Sequence, residues 1–329
     1  MRTRDGTEQT TRRPCYRSAH NYTVGLSAKL HFGQMEVQRE PNKSLGARLV
    51  NLLVTLVIAY VLALVAIRLF ESHLIFFPNY PGRLEGDWHP RNLPVQDVWL
   101  KSSDGTRLHA WWIPNDHAKL TFLAFHGNAS NIANRAEVYE FLRDTPANVF
   151  ALEYRGYGKS EGKPSEAGIY RDADAAYQYL VDTEAIPPKS IVSFGQSLGT
   201  AVAANLAASR EVGAVVLEAP FPSASVLARK LFWFFPGIEL FVRGQLNTAA
   251  RLNETSAPIL IVHCTEDRVI PFQFGQAVYS SAPSHKRFLQ IEGMCHEEPS
   301  LIAPAKYHAA LQDFLQAIEP SSNSSVPGS

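Results

Sequence analysis

A serine stands between two glycines in the pentapeptide Gly-Gln-Ser-Leu-Gly, which covers residues 195–199. A short apolar run precedes it, and a run of small residues typical of a closely packed helix follows it. This context predicts a nucleophile elbow, a strained strand-to-helix turn that exposes the hydroxyl of Ser197. Gly195 and Gly199 would let strand and helix approach each other, because neither carries a Cβ atom. Without partner residues, a plain strand-to-helix turn would be an equally good interpretation.

Two candidate partners follow in the chain order that such an elbow requires, serine, then acid, then histidine. Asp267 comes shortly after the apolar run 259–262, and His296 follows the last β-rich run. We therefore expect both at the same sheet edge as Ser197, with His296 as general base and Asp267 holding the imidazole. The alternatives are a helix-capping role for Asp267, with Glu266 as the acid, and a surface-loop role for His296.

The stretch 125–131, Phe-His-Gly-Asn-Ala-Ser-Asn, is a candidate for binding a developing oxyanion. Acyl transfer needs two backbone N–H donors aimed at the negative oxygen, and we predict those of Asn128 and Leu198. Gly127 would allow close approach of this backbone, and His126 is expected to brace the loop rather than to titrate. Capping of a following helix by Asn128 or Ser130 is a compatible alternative.

The elements that must position these residues follow from about residue 95, where short β-rich runs alternate with helical patterns. This alternation predicts a mostly parallel sheet with helices on both faces. The expected strands cover residues 95–101, 108–113, 120–125, 149–154, 191–194, 214–218, 259–264 and 287–291. The expected helices cover residues 131–143, 167–181, 198–208, 273–280 and 305–318. An aromatic-rich insertion at 223–252 is predicted to form a small cap. Its apolar side chains could line an acyl-binding site or touch the bilayer, and the alternative is a helix whose aromatic residues pack on the core.

The N-terminal part of the chain contains an uncharged apolar run at residues 49–67. At 1.5 Å per residue it matches the hydrocarbon thickness of a bilayer, so we predict a transmembrane helix at 49–68, with a buried core helix as the alternative. The flanks are then a polar, disordered segment at 1–48 and a linker at 69–94. A catalytic domain at 95–318 and a flexible tail at 319–329 complete the expected organisation.

The charges around the apolar run bear on topology. Lysine and arginine are more frequent before it than after it, which predicts a cytoplasmic N-terminus and a catalytic domain on the opposite side of the membrane. Met35 is an alternative start that would leave a short basic lead-in.

Composition excludes other classes of function. Basic and acidic residues both number 31, so no global basic field would attract nucleic acid. The histidine loop lacks the second histidine of a zinc-binding helix, and we expect no metal and no cofactor. Cys264 and Cys295 are expected to be small buried packing groups, although they could pair in an oxidising compartment.

These motifs occur together with Glu-Tyr-Arg-Gly-Tyr-Gly-Lys-Ser at 153–160 and Pro-Ser-Glu-Ala-Gly at 164–168. In combination they resemble the membrane-anchored α/β-hydrolases of the bud-emergence-type family, over about four fifths of the chain. Relatives of that family include abhydrolase-domain depalmitoylases and bacterial serine-aminopeptidase-like hydrolases. The resemblance implies an α/β-hydrolase fold and a triad of Ser197, Asp267 and His296. Cys295 and Glu297 depart from the small residue and the Asn or Asp that often flank the family's histidine.

These observations predict a membrane-anchored serine hydrolase that cleaves acyl esters or thioesters through an acyl-enzyme. Its expected partners are the membrane and a small-molecule or lipidated-protein acyl substrate. Two alternatives stay open: a serine-aminopeptidase-like peptidase, which would use the same triad, and a catalytically silent scaffold.

Overall fold

A computed structural model describes residues 44–242, 245–296 and 298–318 of the chain. The chain divides into two compact units, residues 1–53 and 54–329. Within the first, the described residues 44–53 contain the start of one long helix, α1 (Leu45–Ile75). The predicted disordered segment falls mostly on residues 1–43 and the predicted tail on 319–329, both outside the described residues.

An eight-stranded sheet forms the centre of the second unit, as the sequence predicts. Its strands are β1 (Gln96–Lys101), β2 (Arg107–Ile113), β3 (Leu120–Phe125), β4 (Ala147–Leu152), β5 (Ile191–Gln196), β6 (Ala214–Glu218), β7 (Ile259–Cys264) and β8 (Lys286–Ile291). Their order in the sheet is β1-β2-β4-β3-β5-β6-β7-β8. The pairs β1–β2 and β2–β4 are antiparallel and all others are parallel. The carboxyl ends of β3, β5, β7 and β8 therefore lie at one edge.

Helices connect the parallel strands, and two more follow the last strand. They are α2 (Ala136–Arg143), α3 (Glu166–Gln178), α4 (Leu198–Ser209), α5 (Ala224–Leu231), α6 (Thr248–Leu252), α7 (Phe272–Ser281), α8 (Pro299–Ile302) and α9 (Pro304–Gln316). The helix predicted at 131–143 is instead a 3-10 turn, Ile132–Asn134, followed by α2. The cause is local: the Asn131 side chain accepts a hydrogen bond from the Ala133 N–H and starts the separate turn.

The core has two layers, one on each face of the sheet. Strand β3 is buried along its whole length, and so are β5, β6 and β7. One apolar cluster packs the sheet against α3 and α4, and the other packs it against α2 and α9. Strands buried on both faces read as continuous apolar runs, which is why the sequence located them well.

Helix α1 is longer than the predicted transmembrane segment. It covers 31 residues and reaches a mean hydropathy of 2.7, and only 6% of its most apolar stretch is buried. By length and composition it can cross a bilayer. Its apolar side chains face outward, unlike those of a helix packed in a protein core.

The insertion predicted at 223–252 contains α5, a 3-10 turn at Ile238–Leu240 and α6. Residues 243–244 within it lie outside the described residues. Its aromatic stretch, residues 232–235, is largely exposed rather than packed into the core.

Candidate active site

The turn between β5 and α4 holds Ser197 in a backbone conformation that residues with a side chain rarely adopt. Its φ is 50° and its ψ is −113°. A Cβ atom on Gly195 would collide with the Gly199 carbonyl, and one on Gly199 would collide with the Phe125 carbonyl at the end of β3. Only glycine therefore fits at both positions, and the turn brings the start of α4 against β3. The strained backbone is typical of a functional site.

The three predicted side chains meet at this edge of the sheet. His296 Nε2 lies 3.0 Å from Ser197 Oγ. On the other side of the ring, His296 Nδ1 lies 2.8 Å from Asp267 Oδ2. With the proton on Nδ1, the imidazole donates to the carboxylate and its Nε2 can accept the serine proton. This arrangement can activate a hydroxyl as a nucleophile.

Asp267 is fixed by its own loop. Its side chain is fully buried, and Oδ1 accepts the N–H groups of Val269 and Ile270, both at 2.8 Å. Burial raises the pKa of this carboxyl, but hydrogen bonds from His263 and His296 outweigh it and hold the pKa well below its usual range. Asp267 therefore remains ionised and leaves Oδ2 to the imidazole. Glu266, the alternative acid, is exposed to solvent, unlike the buried Asp267.

A second histidine contacts Asp267, and this contact was not predicted from the sequence. His263, on β7, is fully buried, and its Nε2–H donates to the Ile270 carbonyl at 2.9 Å. The same nitrogen lies 3.4 Å from Asp267 Oδ2. In the sequence, a histidine four residues before Asp267 is only a weak sign that the two side chains are in contact. The contact depends on the burial of His263, which the spacing does not show.

The loop after β3 carries the predicted oxyanion donor Asn128. His126 Nδ1 lies 2.8 Å from the Gly127 carbonyl, so this N–H donates to the peptide that joins Gly127 to Asn128. In a trans peptide the C=O and N–H point in opposite directions, so the Asn128 N–H points away from the imidazole. His126 therefore orients this donor, consistent with the bracing role expected from the sequence.

Two tyrosines of the stretch 153–160 hold the same loop. The Tyr154 hydroxyl donates to the His126 carbonyl at 3.1 Å, and the Tyr157 hydroxyl donates to the Asn128 carbonyl at 2.8 Å. Burial raises the pKa of both hydroxyls, which keeps them protonated donors. In the sequence this stretch is only part of the family resemblance, and its contact with Asn128 was not predicted.

A buried carboxylate lies behind the loop. Glu153 Oε1 is 3.1 Å from His126 Nε2, and both side chains are fully buried. Glu153 Oε2 also accepts the Ile132 N–H at 3.2 Å. This carboxylate therefore contacts both the imidazole and the turn that follows the loop.

The end of α1 contacts the same loop. The Asn128 side-chain amide donates to the Ile75 carbonyl at 3.1 Å, and the Phe77 N–H donates to the Asn128 carbonyl at 2.9 Å. Phe77 also forms an isolated parallel bridge with Ala129. The apolar helix therefore ends beside the candidate oxyanion site.

Cys264 and Cys295 form a disulfide, with their Cα atoms 5.7 Å apart. The expectation that they are separate packing groups was wrong. Cys264 ends β7 and Cys295 precedes His296, so the parallel pairing of β7 with β8 brings the two loops together. The bond ties the loop of the acid to the loop of the histidine.

The sheet order, the elbow after β5 and the acid and histidine loops at the same edge define a hydrolase of α/β-hydrolase fold. Comparison with known proteins agrees. Residues 121–245 match the family model described as the alpha/beta hydrolase fold.

Curated relatives cover most of the chain. The alpha/beta hydrolase domain-containing protein WAV2 of Arabidopsis thaliana is 35% identical over 291 residues, covering 80% of this chain and 92% of the relative. Alpha/beta hydrolase domain-containing protein 17C of Mus musculus is 34% identical over 249 residues, covering 73% and 74% of the two chains. The chain belongs to this family of alpha/beta hydrolase domain-containing proteins.

Solved structures share the fold. The esterase Pf2001 of Pyrococcus furiosus superposes with a TM-score of 0.61 at 22% identity, covering 75% of this chain and 99% of the esterase.

Proposed function

We propose that the chain is a membrane-anchored serine hydrolase that cleaves acyl ester or thioester bonds through an acyl-enzyme intermediate. The observation that carries the proposal is the pair of contacts made by His296, 3.0 Å to Ser197 Oγ and 2.8 Å to Asp267 Oδ2. One imidazole between a strained serine and a buried carboxylate is the arrangement that nucleophilic acyl transfer requires.

The reaction has two halves. Ser197 Oγ attacks the acyl carbonyl while His296 Nε2 takes its proton, and the resulting imidazolium is stabilised by Asp267. The imidazolium then gives the proton to the departing alkoxide or thiolate, which leaves as alcohol or thiol. Water, deprotonated by the same nitrogen, attacks the acyl-enzyme, and collapse of the second tetrahedral intermediate returns Ser197 and releases the acid.

The oxyanion of each tetrahedral intermediate would accept from the N–H groups of Asn128 and Leu198. Leu198 is the first residue of α4, so its N–H has no acceptor within the helix and the positive end of the helix dipole favours an anion there. Asn128 presents its N–H because His126 holds the adjoining carbonyl. Donors fixed in advance stabilise the transition state without reorganising.

The membrane would be crossed by the apolar part of α1, with the N-terminus in the cytoplasm and the catalytic domain on the opposite side. The disulfide between Cys264 and Cys295 supports this topology, because such bonds persist in oxidising compartments. The end of α1 beside Asn128 supports a site that opens close to the bilayer surface, where acyl chains of lipids or lipidated proteins lie.

The proposal is tested by turnover of p-nitrophenyl esters of increasing acyl length, beside aminoacyl p-nitroanilides, with the full chain in vesicles. We expect the esters to be preferred, with a burst of nitrophenolate that does not exceed one per active chain. S197A and H296A should show neither burst nor turnover, because nucleophile or base is lost. A preference for the anilides would instead support a peptidase, and a folded chain without turnover of either class would support a scaffold.

A further inference from the structure

We infer that the aromatic segment of the cap, residues 231–242, inserts into the hydrocarbon of the bilayer alongside α1. This rests on the membrane anchoring proposed above and goes beyond it, because it assigns a second membrane-embedded element and a lipid-facing surface to the catalytic domain. The carrying observations are the contacts of this segment with α1 and its exposed apolar side chains.

The segment contacts α1 at two levels. Near the end of the apolar run, Arg68 donates to the Phe241 carbonyl at 3.3 Å. About two turns closer to the N-terminus of the helix, the Tyr60 ring stacks on Phe235 with centroids 5.8 Å apart, and the Tyr60 hydroxyl donates to the Pro236 carbonyl.

Those two levels differ by eight residues of helix, which is about 12 Å along its axis. Arg68 is the first charged residue after the apolar run and marks the level of the headgroups. A chain segment that contacts Tyr60 therefore lies about 12 Å below that level, inside the hydrocarbon.

Apolar side chains of the segment face outward. Trp233 and Leu240 are each 79% exposed, and Phe234 is 58% exposed. Leu231 and Phe232 extend the same patch. An exposed aromatic and aliphatic patch beside an apolar helix is costly in water and favourable in lipid.

Part of the backbone of this segment is paired within the protein, which lowers the cost of placing its polar groups in hydrocarbon. Successive turn hydrogen bonds use the N–H groups of Phe232, Phe235, Ile238, Leu240 and Phe241. Pro236 has no N–H to satisfy, and its carbonyl accepts from Tyr60.

The charges lie where an interface would place them. Arg229 and Lys230, exposed in the last turn of α5, precede the aromatic patch and can reach phosphate headgroups. Glu239 is the single charged residue of the segment and is half-buried. It lies two residues before Phe241, and thus close to the level of Arg68 rather than to that of Tyr60.

The test uses the full chain in vesicles that contain phosphatidylcholine brominated on its acyl chains, which quenches nearby tryptophan. Trp233 is one of five tryptophans, and the other four lie in the part of the chain from residue 88 to residue 112. We expect brominated lipid to quench the wild-type chain and W99F alike, whereas W233F loses at least half of the quenching. W99F is the matched control, because Trp99 is also exposed but lies on β1, away from the proposed surface.

Equal quenching in W233F and wild type, with the chain retained in vesicles at alkaline pH, would overturn the insertion of the aromatic segment but not the membrane anchoring. Extraction of the wild-type chain at alkaline pH would overturn the membrane anchoring as well. Quenching of tryptophan fluorescence does not depend on ester turnover. Failure of the catalytic proposal is therefore distinguishable from failure of the membrane inference.

A functional measurement gives an independent check. The combined variant F232S, W233S, F234S and L240S should hydrolyse p-nitrophenyl acetate within twofold of wild type but lose at least tenfold on a long-chain ester embedded in the vesicle. The control L301S with I302S changes exposed apolar residues on α8 and should lose neither activity. Unchanged hydrolysis of the embedded ester by the combined variant would contradict the inference.

Discussion

At the scale of single residues, the candidate site depends on how Asp267 is held. The carboxylate is buried, accepts two backbone N–H groups and contacts two histidines. A buried carboxylate is stable as an anion only when its oxygens are paired. His263 therefore positions Asp267, and through it the imidazole of His296.

His263 should matter although it does not contact substrate. We expect H263A to lower kcat by about 10- to 100-fold with little change in KM, because loss of one buried hydrogen bond costs about 1–3 kcal/mol. H263Q, whose amide can donate at a similar position, should recover part of the loss. Steady-state kinetics measure the split, and equal losses for H263A and H263Q would indicate a packing role instead.

Asp267 should link activity and stability to pH. D267N keeps the shape but removes the charge that stabilises the imidazolium, and kcat should fall by about 10⁴-fold. The pKa of Asp267 is lower in the folded chain than its usual value of about 3.9, so ionised Asp267 stabilises the fold above about pH 4 and this stabilisation is lost as pH falls.

Urea unfolding between about pH 5 and pH 2.5 measures this linkage. The wild-type free energy of unfolding should fall more steeply with decreasing pH than that of D267N. E266Q, the neighbouring carboxylate, should retain both the activity and the wild-type slope. Parallel slopes for wild type and D267N would contradict the role given to the buried anion.

At the scale of elements, loops at the carboxyl ends of β3, β5, β7 and β8 bring the site together. The sequence predicted this convergence because the strands are continuous apolar runs and the motif residues follow them directly. It did not predict the contacts of His263 or Tyr157, because each depends on packing between elements distant in the chain. The pairing of Cys264 with Cys295 was only the alternative expectation for the same reason, since it requires the register of β7 on β8.

The disulfide should stabilise both catalytic loops. Closing a loop between residues 31 apart lowers the entropy of the unfolded chain, worth about 3–4 kcal/mol in the chain-entropy account. C264A with C295A should lower the free energy of unfolding by up to that amount and reduce kcat, because the loop of His296 is less constrained. Dithiothreitol should reproduce both effects in wild type and add nothing in the variant. A reductant effect of similar size in the variant would contradict this role.

At the scale of the whole molecule, the fold class followed from the sequence, whereas the extent of α1 did not. The apolar run predicted a transmembrane helix at residues 49–68, but the helix continues to Ile75. The added turns contain polar residues that no hydropathy criterion would include, yet they carry the backbone that contacts Asn128. The loop of Asn128 and the end of the apolar helix are thus joined within the residues from 54 onward.

The proposed topology rests on the basic flank and on the disulfide. Alkaline phosphatase fused after Ser329 should be active, and a green fluorescent protein at the same position should be dark, if the catalytic domain lies across the membrane from the cytoplasm. The opposite pair of results would place the domain in the cytoplasm and would remove the oxidising environment that the disulfide requires.

The most direct test of the account is covalent labelling by a fluorophosphonate, which reacts with an activated serine. We predict one adduct per folded chain, mapped by mass spectrometry to Ser197, and strong loss of labelling in H296A. S197A should show no adduct. A folded wild-type chain that stays unlabelled under conditions that label a known serine hydrolase, or that carries its adduct on another residue, would contradict the account.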